Sequence, residues 1–437
     1  MSLSYLAGIA VLVLGLAVSV ALHELGHLVP AKIFGVKVSE YFIGFGPKIW
    51  SFKRGETEYG VKALWLGGYV RLLGMLPPAP AGKPDKPGSL VATSRQEALA
   101  ELGPQEQHRA FYRLSVPKKL VVMAGGILTN LVLGVVILLV AVGLVGVPGY
   151  TSTLGSVSEC LKADPADTSA CTPQDQAAPA LSAGLRSGDQ VLSWGGTPVS
   201  TWADVQAGIK AAGTQPVQVV VLRDGTEQTL TVTAAEVRRP VLDDSGKELV
   251  DAEGKPVTEP RPFVGVGPTL GTIPQPASAL PAIVATAVGG TLKAILTLPV
   301  GLYHAVAAGL GLEQRSPEGL VGLLGIGRLA GEAASGGAAS GPLAIPFSMR
   351  VFSLLSLLGS LNLALFAFNL IPLLPLDGGH VLGALYEGAR RRWALAQGRP
   401  DPGPVDTARM LPVGQAVFGL LIVMTLVLVW VDVVAPV

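Results

Sequence analysis

An uncharged, largely apolar run extends from Leu3 to Leu22, and strongly polar residues begin at His23. Its length matches the roughly 20 residues that an α-helix needs to cross the hydrocarbon core of a bilayer. Three further stretches reach that length, at about 120–147, 351–371 and 411–431. Together they predict a multi-span α-helical membrane protein with about four transmembrane helices. Between the first two spans the pattern becomes strand-like, in Lys48–Phe52, Glu58–Leu64 and Tyr69–Leu72. Between the second and third, Gly155–Ser158, Ala183–Leu192, Trp202–Ile209, Val217–Asp224 and Thr229–Thr233 predict an inserted α+β domain. Residues 294–312 form another uncharged apolar run, but Pro281, Lys293 and Pro299 interrupt its surroundings. Interfacial helices are expected there, with two short extra spans as the alternative.

Composition supports the membrane class. The chain is 49% hydrophobic and 14% charged, with a mean hydropathy of +0.51, whereas soluble domains carry about 25% charged residues. A net charge of +1 gives no reason to expect a nucleic-acid partner. The first run lacks a preceding basic segment and a following small-residue cleavage site, so it reads as a retained helix rather than a signal peptide. Arg390, Arg391, Arg392, Arg399 and Arg409 should hold the last inter-span segment in the cytoplasm. Segment 32–119 is also basic, with 14 Lys/Arg against 7 Asp/Glu, while 148–350 has 13 against 18. This bias places both termini and the inserted domain outside the cytoplasm. Cys160 and Cys171 fall in that domain, where a disulfide is plausible and two free thiols are the alternative.

The chemistry starts at His23-Glu24-Leu25-Gly26-His27. On a helix, H-E-x-x-H sets two imidazoles on one face to share a zinc ion, with the Glu placed as general base. Ionisable groups at membrane depth are expensive and mark function, so peptide hydrolysis within the bilayer is the working expectation. Catalytic zinc usually takes three protein ligands. The third is sought in Asn369-Leu-Ile-Pro372-Leu-Leu-Pro375-Leu-Asp377-Gly378-Gly379-His380. Pro372 and Pro375 should break the helix, and Gly378 and Gly379 should give the tight backbone that turns Asp377 inward. The residues favour Asp377, with His380 as the rival ligand.

An H-E-x-x-H in the first span and an N-x-x-P…L-D-G-G motif in a later one resemble the site-2 protease family of intramembrane zinc metalloproteases. The four-span plan resembles its bacterial regulator-of-sigma-E branch. That resemblance implies one Zn2+ per chain held by His23, His27 and Asp377, with Glu24 as catalytic base and Asn369 in a supporting, substrate-facing role. It implies a bacterial cytoplasmic (inner) membrane protein that cleaves single-span membrane proteins in regulated intramembrane proteolysis. An anti-sigma factor already cut outside the membrane, or a signal-peptide remnant, would be the substrate. Gly44-Phe-Gly-Pro47 and Gly67-Gly-Tyr-Val-Arg71 resemble the ends of the family's membrane-associated β-hairpin region. An exposed sheet edge there could hold an unwound substrate by main-chain hydrogen bonds. Ala124-Gly-Gly-Ile-Leu-Thr-Asn130 resembles a family motif with Gly126 in place of proline and Asn130 displaced by one position. Asn130 therefore reads equally as helix-packing glue or as a site residue. Ala183-Gly-Leu-Arg-Ser-Gly-Asp-Gln-Val-Leu192 resembles a circularly permuted PDZ domain, a fold that takes a peptide or substrate terminus as an added strand.

The resulting plan has a first span with its zinc motif (1–36), a cytoplasmic-side β region and linker (37–119), and a second span (120–147). The PDZ-like domain (148–270) and interfacial helices (271–350) follow, then the third span with the L-D-G-G motif (351–380), a cytoplasmic segment (381–410) and a fourth span (411–433). Surface loops are expected at 162–178, around the turns Ser245-Gly246-Lys247 and Glu253-Gly254-Lys255, and at 331–341, with a flexible proline-rich linker at 77–88. Two rivals remain at this stage. A non-proteolytic PDZ-bearing scaffold would need the zinc motif to be a relic, and a zinc transporter would need more intramembrane ligands than the remaining histidines supply.

Overall fold

The computed structural model describes residues 2–80, 82–162, 170–241, 249–250, 257–316, 319–336 and 345–436. They form two compact units, one built from 1–143, 276–335 and 353–437, the other from 144–275 and 336–352.

The first unit opens with α1 (Leu3–Ile33), capped at its start by the Ser2 hydroxyl. Two long antiparallel strands follow, β1 (Val38–Arg54) and β2 (Thr57–Leu72). They do not form a simple hairpin. Tyr41 pairs with Val70 on one side and Tyr59 on the other, so the first part of β1 lies between the two ends of β2. Residues 68–72 thereby become an outer edge, paired only with β1 among the described residues. Next come α2 (Leu90–Ala100) and α3 (Val116–Leu139), the latter continued by a π-helical turn to Val145.

Segment 77–88 is not a free linker. The Arg95 guanidinium, 4% exposed, pairs with Asp85 at 2.7 Å and Asp406 at 2.8 Å and donates to the Pro77 carbonyl. A buried arginine requires such partners, and here they tie the proline-rich stretch down.

The second unit contains β3 (Val147–Val157), β4 (Cys160–Leu161), β5 (Gln176–Ala177), α4 (Pro179–Ser182), β6 (Gln190–Trp194), β7 (Thr197–Pro198) and α5 (Trp202–Ala212). It continues with β8 (Val217–Arg223), β9 (Thr226–Val232), β10 (Ala235–Pro240), β11 (Thr258–Phe263) and β12 (Val266–Ile273). The main sheet runs β12-β3-β6-β8-β9, with β7 on β6 and β12 at one edge. Its core gathers Leu154, Leu185, Val191, Trp194, Val205, Val219 and Val221. Inside it, burial works against Asp189, but the Arg223 guanidinium at 2.7 Å holds this carboxyl below its usual range. Cys160 and Cys171 are joined in a disulfide, beside which the Lys162 ammonium holds the Asp175 carboxyl down at about 2. Part of the expected 162–178 loop, and both turns at 245–247 and 253–255, fall outside the described residues.

The chain returns to the first unit in α6 (Leu280–Leu296), α7 (Leu298–Gly309), α8 (Leu323–Ser335), α9 (Phe347–Asn369), α10 (Asp377–Ala396) and α11 (Leu411–Val434). Among the described residues, four helices are long and apolar enough to cross a membrane: Leu3–Ile33, Val116–Val145, Phe347–Asn369 and Thr407–Val434. The α6–α7 pair, bent by 71°, would make a fifth if it counts as one broken span. Helix α9 ends at Asn369, before Pro372 and Pro375, and α10 covers 381–396 of the segment between the last two spans. Residues 331–335, expected in a loop, close helix α8. Lys119 of α3 and Glu387 of α10 form a buried ion pair at 2.8 Å, and Asp432 of α11 accepts from Arg315 and from the Gly322 and Gly325 amides at the start of α8.

Candidate metal centre and active site

Two antiparallel helices that nearly touch form the site's floor. Pro30 lacks the N–H that would bond the Gly26 carbonyl within α1, and the Gly125 backbone of α3 packs against that carbonyl so closely that a Cβ at 125 would overlap it. Gly126, one residue on, lies under the His27 imidazole, where any Cβ would collide with the ring. A glycine at this position leaves room for the histidine. His23 and His27, four residues apart on α1, therefore project over α3 with their rings edge to face at 4.9 Å.

Each ring is oriented through its Nδ1. The His27 Nδ1–H donates to the Val122 carbonyl at 2.8 Å, and since a carbonyl only accepts, this fixes the tautomer and leaves Nε2 with a free lone pair. The Asn130 amide lies 3.0 Å from His23 Nδ1, and Asn130 Oδ1 is buried without a partner. The two ends of an amide are assigned by hydrogen-bond logic, so the consistent orientation has Oδ1 accepting from His23 Nδ1–H. Asn130, on α3, thus stands beside the His23 ring.

Asp377 arrives from the opposite side as the first residue of α10. Gly378 and Gly379 are both helical, and their missing side chains let the 370–376 loop fold tightly onto the first turn of α10. A Cβ on Gly378 would overlap the Ile371 carbonyl, and one on Gly379 would stand 2.6 Å from the Leu374 nitrogen. Pro372 and Pro375 lie exposed in that loop, between the end of α9 and the start of α10. The loop thus delivers the Asp377 carboxylate to the two imidazoles.

His23 Nε2, His27 Nε2 and Asp377 Oδ2 stand 3.3, 3.3 and 3.2 Å apart. Ligands of a tetrahedral zinc, each about 2.0 Å from the ion, are separated by about 3.3 Å, so the donor triangle has the edge length zinc requires. Asp377 Oδ2 is also buried with no conventional hydrogen-bond donor, as expected of an atom whose partner is a cation. These three groups fit a zinc ion and leave its fourth position open. The rival His380 does not converge with them: it lines a small cavity of about 30 Å³ with Lys119, Glu387 and Thr407. His108 and His304 also lie elsewhere, and His304 pairs with Glu313 at 2.8 Å.

Glu24 is 9% exposed and lies beside the free edge of β2, near enough to His23, His27 and Asp377 to interact with all three. A Cβ on Gly68 would stand 3.2 Å from Glu24 Cγ, and the backbone at Val70 faces its carboxylate. Burial, and then the nearby Glu24 charge, push the Tyr41 phenol up to about 12, and its O–H donates to the Ala21 carbonyl at 2.7 Å. Asn369 ends α9, half-buried and without a side-chain hydrogen bond to described residues. The buried intramembrane amide on α9 is Asn362, which donates to the Ser19 hydroxyl at 3.0 Å, one helical turn before His23. Sequence reading missed it; the available signal was a lone Asn in an apolar run with Ser19 four residues before a predicted ligand. Replacing Asn130 by Leu should lower zinc affinity about 10- to 100-fold, the usual cost of losing an orienting partner. Chelator competition measures this directly, and unchanged affinity would remove Asn130 from the site.

The peptidase family M50 description matches residues 11–399. Zinc metalloprotease Rip1 of Mycobacterium tuberculosis is 34% identical over 99% of this chain and 98% of its own length. Metalloprotease MmpA of Caulobacter vibrioides is 27% identical over 86% and 85%, and zinc metalloprotease RasP of Geobacillus kaustophilus is 26% identical over 94% of each chain. A match across most of the chain, joined to a donor triangle of zinc dimensions at membrane helices, establishes that this protein belongs to peptidase family M50, the site-2 proteases, and is a membrane zinc metalloprotease.

Proposed function

We propose that this protein is an intramembrane endopeptidase that cleaves single-span membrane proteins, with His23, His27 and Asp377 as zinc ligands and Glu24 as general base. The observation that carries this reading is the position of Glu24, between the donor triangle and the unpaired edge of β2. Zinc, when bound, supplies Lewis acidity that polarises a scissile carbonyl and makes water nucleophilic near neutral pH. The chain's residues do the rest. Glu24 takes the proton from the attacking water on a carboxylate oxygen and returns it to the leaving amine. Val122 and Asn130 keep both imidazoles turned to the ion. The 68–72 edge holds the substrate extended through main-chain hydrogen bonds, because a helical segment keeps its peptide groups engaged with itself. Asn369, half-buried beside the loop that delivers Asp377, is available to a substrate peptide group.

The second unit supports a PDZ-like role. Helix α5 and strand β11, with Val266 at the start of the edge strand β12, border a cleft of about 680 Å³ that includes Trp202, Gln206, Ile209 and Phe263. An extended peptide end could add to β12 there. This domain and both termini would lie outside the cytoplasm of a bacterial inner membrane, which also suits the disulfide. An anti-sigma factor trimmed by an earlier cut, or a leftover signal peptide, is the expected substrate class.

The test is cleavage of a tagged single-span protein by the purified, zinc-loaded chain, with the cut mapped by mass spectrometry. A cut within the apolar segment, faster once a bulky ectodomain is removed, is the expected result. Cleavage confined to soluble loops would defeat the intramembrane reading.

A further inference from the structure

A second site lies at the far end of α1, one turn and a half beyond His27. Lys32 stands in the last turn of that helix. Lys118, in the first turn of antiparallel α3, stacks over Phe34 at 5.3 Å, so the basic ends of two spans share one level. Cationic side chains at such a level mark the boundary between hydrocarbon and headgroups. Beside Lys32 is a cleft of about 410 Å³ lined by Lys32, Phe52, Arg54, Gly55 and Tyr59, with no carboxylate in its wall.

Neither cation in the cleft forms an ion pair with described residues; the Glu56 carboxylate acts on Lys32 only at a distance. Nearby, Lys37 pairs with Glu106, Lys48 with Glu58, and Arg109 takes both oxygens of Glu56 at 2.6 and 2.7 Å. Lys32 Nζ instead donates to the Tyr59 hydroxyl at 2.7 Å, which leaves the Tyr59 O–H free to donate onward. Arg54 makes no ion pair or hydrogen bond with described residues. A guanidinium, an ammonium and a phenol facing one cleft offer donors to the non-bridging oxygens of a phosphate.

The surroundings select the source of that phosphate. Phe52 stacks on Tyr59 at 5.4 Å and Trp50 lies 5.1 Å from Phe52, a ring ladder open to the outside. Ile33 is 73% exposed, Trp50 60% and Val29 46%. A soluble anion has no use for this apolar border, whereas acyl chains would cover it. We infer that Lys32 and Arg54, with the Phe52 and Tyr59 rings, bind the phosphate of an anionic phospholipid whose chains lie along α1. The inference is independent of the proteolytic reading, because binding can be measured without a substrate.

Native mass spectrometry of the full chain in uncharged detergent tests it, by titration with phosphatidylglycerol and with phosphatidylcholine of the same acyl chains. The native chain should retain phosphatidylglycerol in preference. The Lys32→Gln/Arg54→Gln variant should lose about twenty-five-fold in that affinity, about fivefold for each cation, with phosphatidylcholine unchanged. Arg54→Gln alone, at an exposed hairpin turn, should lose about fivefold and serves if the double variant does not fold. Excess inorganic phosphate should leave the lipid bound. Native-like affinity in Arg54→Gln, equal retention of the two lipids, or displacement by inorganic phosphate would each overturn the assignment.

Discussion

Glu24→Gln is expected to abolish peptide cleavage while leaving zinc at one ion per chain. The substitution keeps the shape of the side chain and removes its ability to take a proton. Glu24 lies one residue beyond His23 on α1, about 100° around the helix, which sets it against the β2 edge while keeping it close to the donor triangle. Losing a positioned general base costs about 10²- to 10⁴-fold in rate. Here the same carboxylate also serves the leaving amine, which puts the expectation at the upper end. Initial rates on a tagged single-span substrate, with zinc measured by plasma mass spectrometry, report both quantities. Equal rates would mean either a contaminating protease or a different base.

Asp377→Ala is expected to strip the metal. It leaves two imidazoles where zinc takes three protein ligands, and no other carboxylate or histidine among the described residues converges on them. Zinc content should fall well below one ion per chain after dialysis, and cleavage should fall with it. His380→Ala is the paired control. His380 faces a separate cavity, so its removal should leave the metal bound. Full zinc retention in Asp377→Ala, with loss in His380→Ala, would reverse the ligand assignment.

Both expectations could be framed from sequence because their signals are local. Two histidines four residues apart need only a helix to share a face, and an apolar run supplies the helix. The four spans and the strands and helix of the second unit follow from periodicity in the same way. What sequence concealed depends on helix packing. No pattern marks the Val122 carbonyl as the partner of His27, because every residue has a carbonyl and only the α1–α3 crossing selects this one. Gly378 and Gly379 signal a tight backbone, but which atoms pack against them, the Ile371 carbonyl and the Leu374 nitrogen, depends on how the 370–376 loop folds back. The fourfold arrangement of the β1–β2 sheet was also hidden, since pairing of Tyr41 on both sides leaves no separate strand signal. The proline-rich 77–88 stretch carries no local sign of its anchor, because Arg95 is itself held by Asp406, far away in the chain.

The buried Lys119–Glu387 pair gives α10 a second point of attachment. One end of this helix presents Asp377 to the imidazoles, and ten residues later Glu387 locks it to α3. Metal capture and docking of α10 therefore belong to a single equilibrium: whatever seats the helix tightens the metal, and the metal, by reciprocity, seats the helix. With Asp377 as the proposed third ligand, chelation is expected to loosen the Asp377 end of α10 while Glu387 keeps the other end moored, so that the emptied protein reloads without refolding.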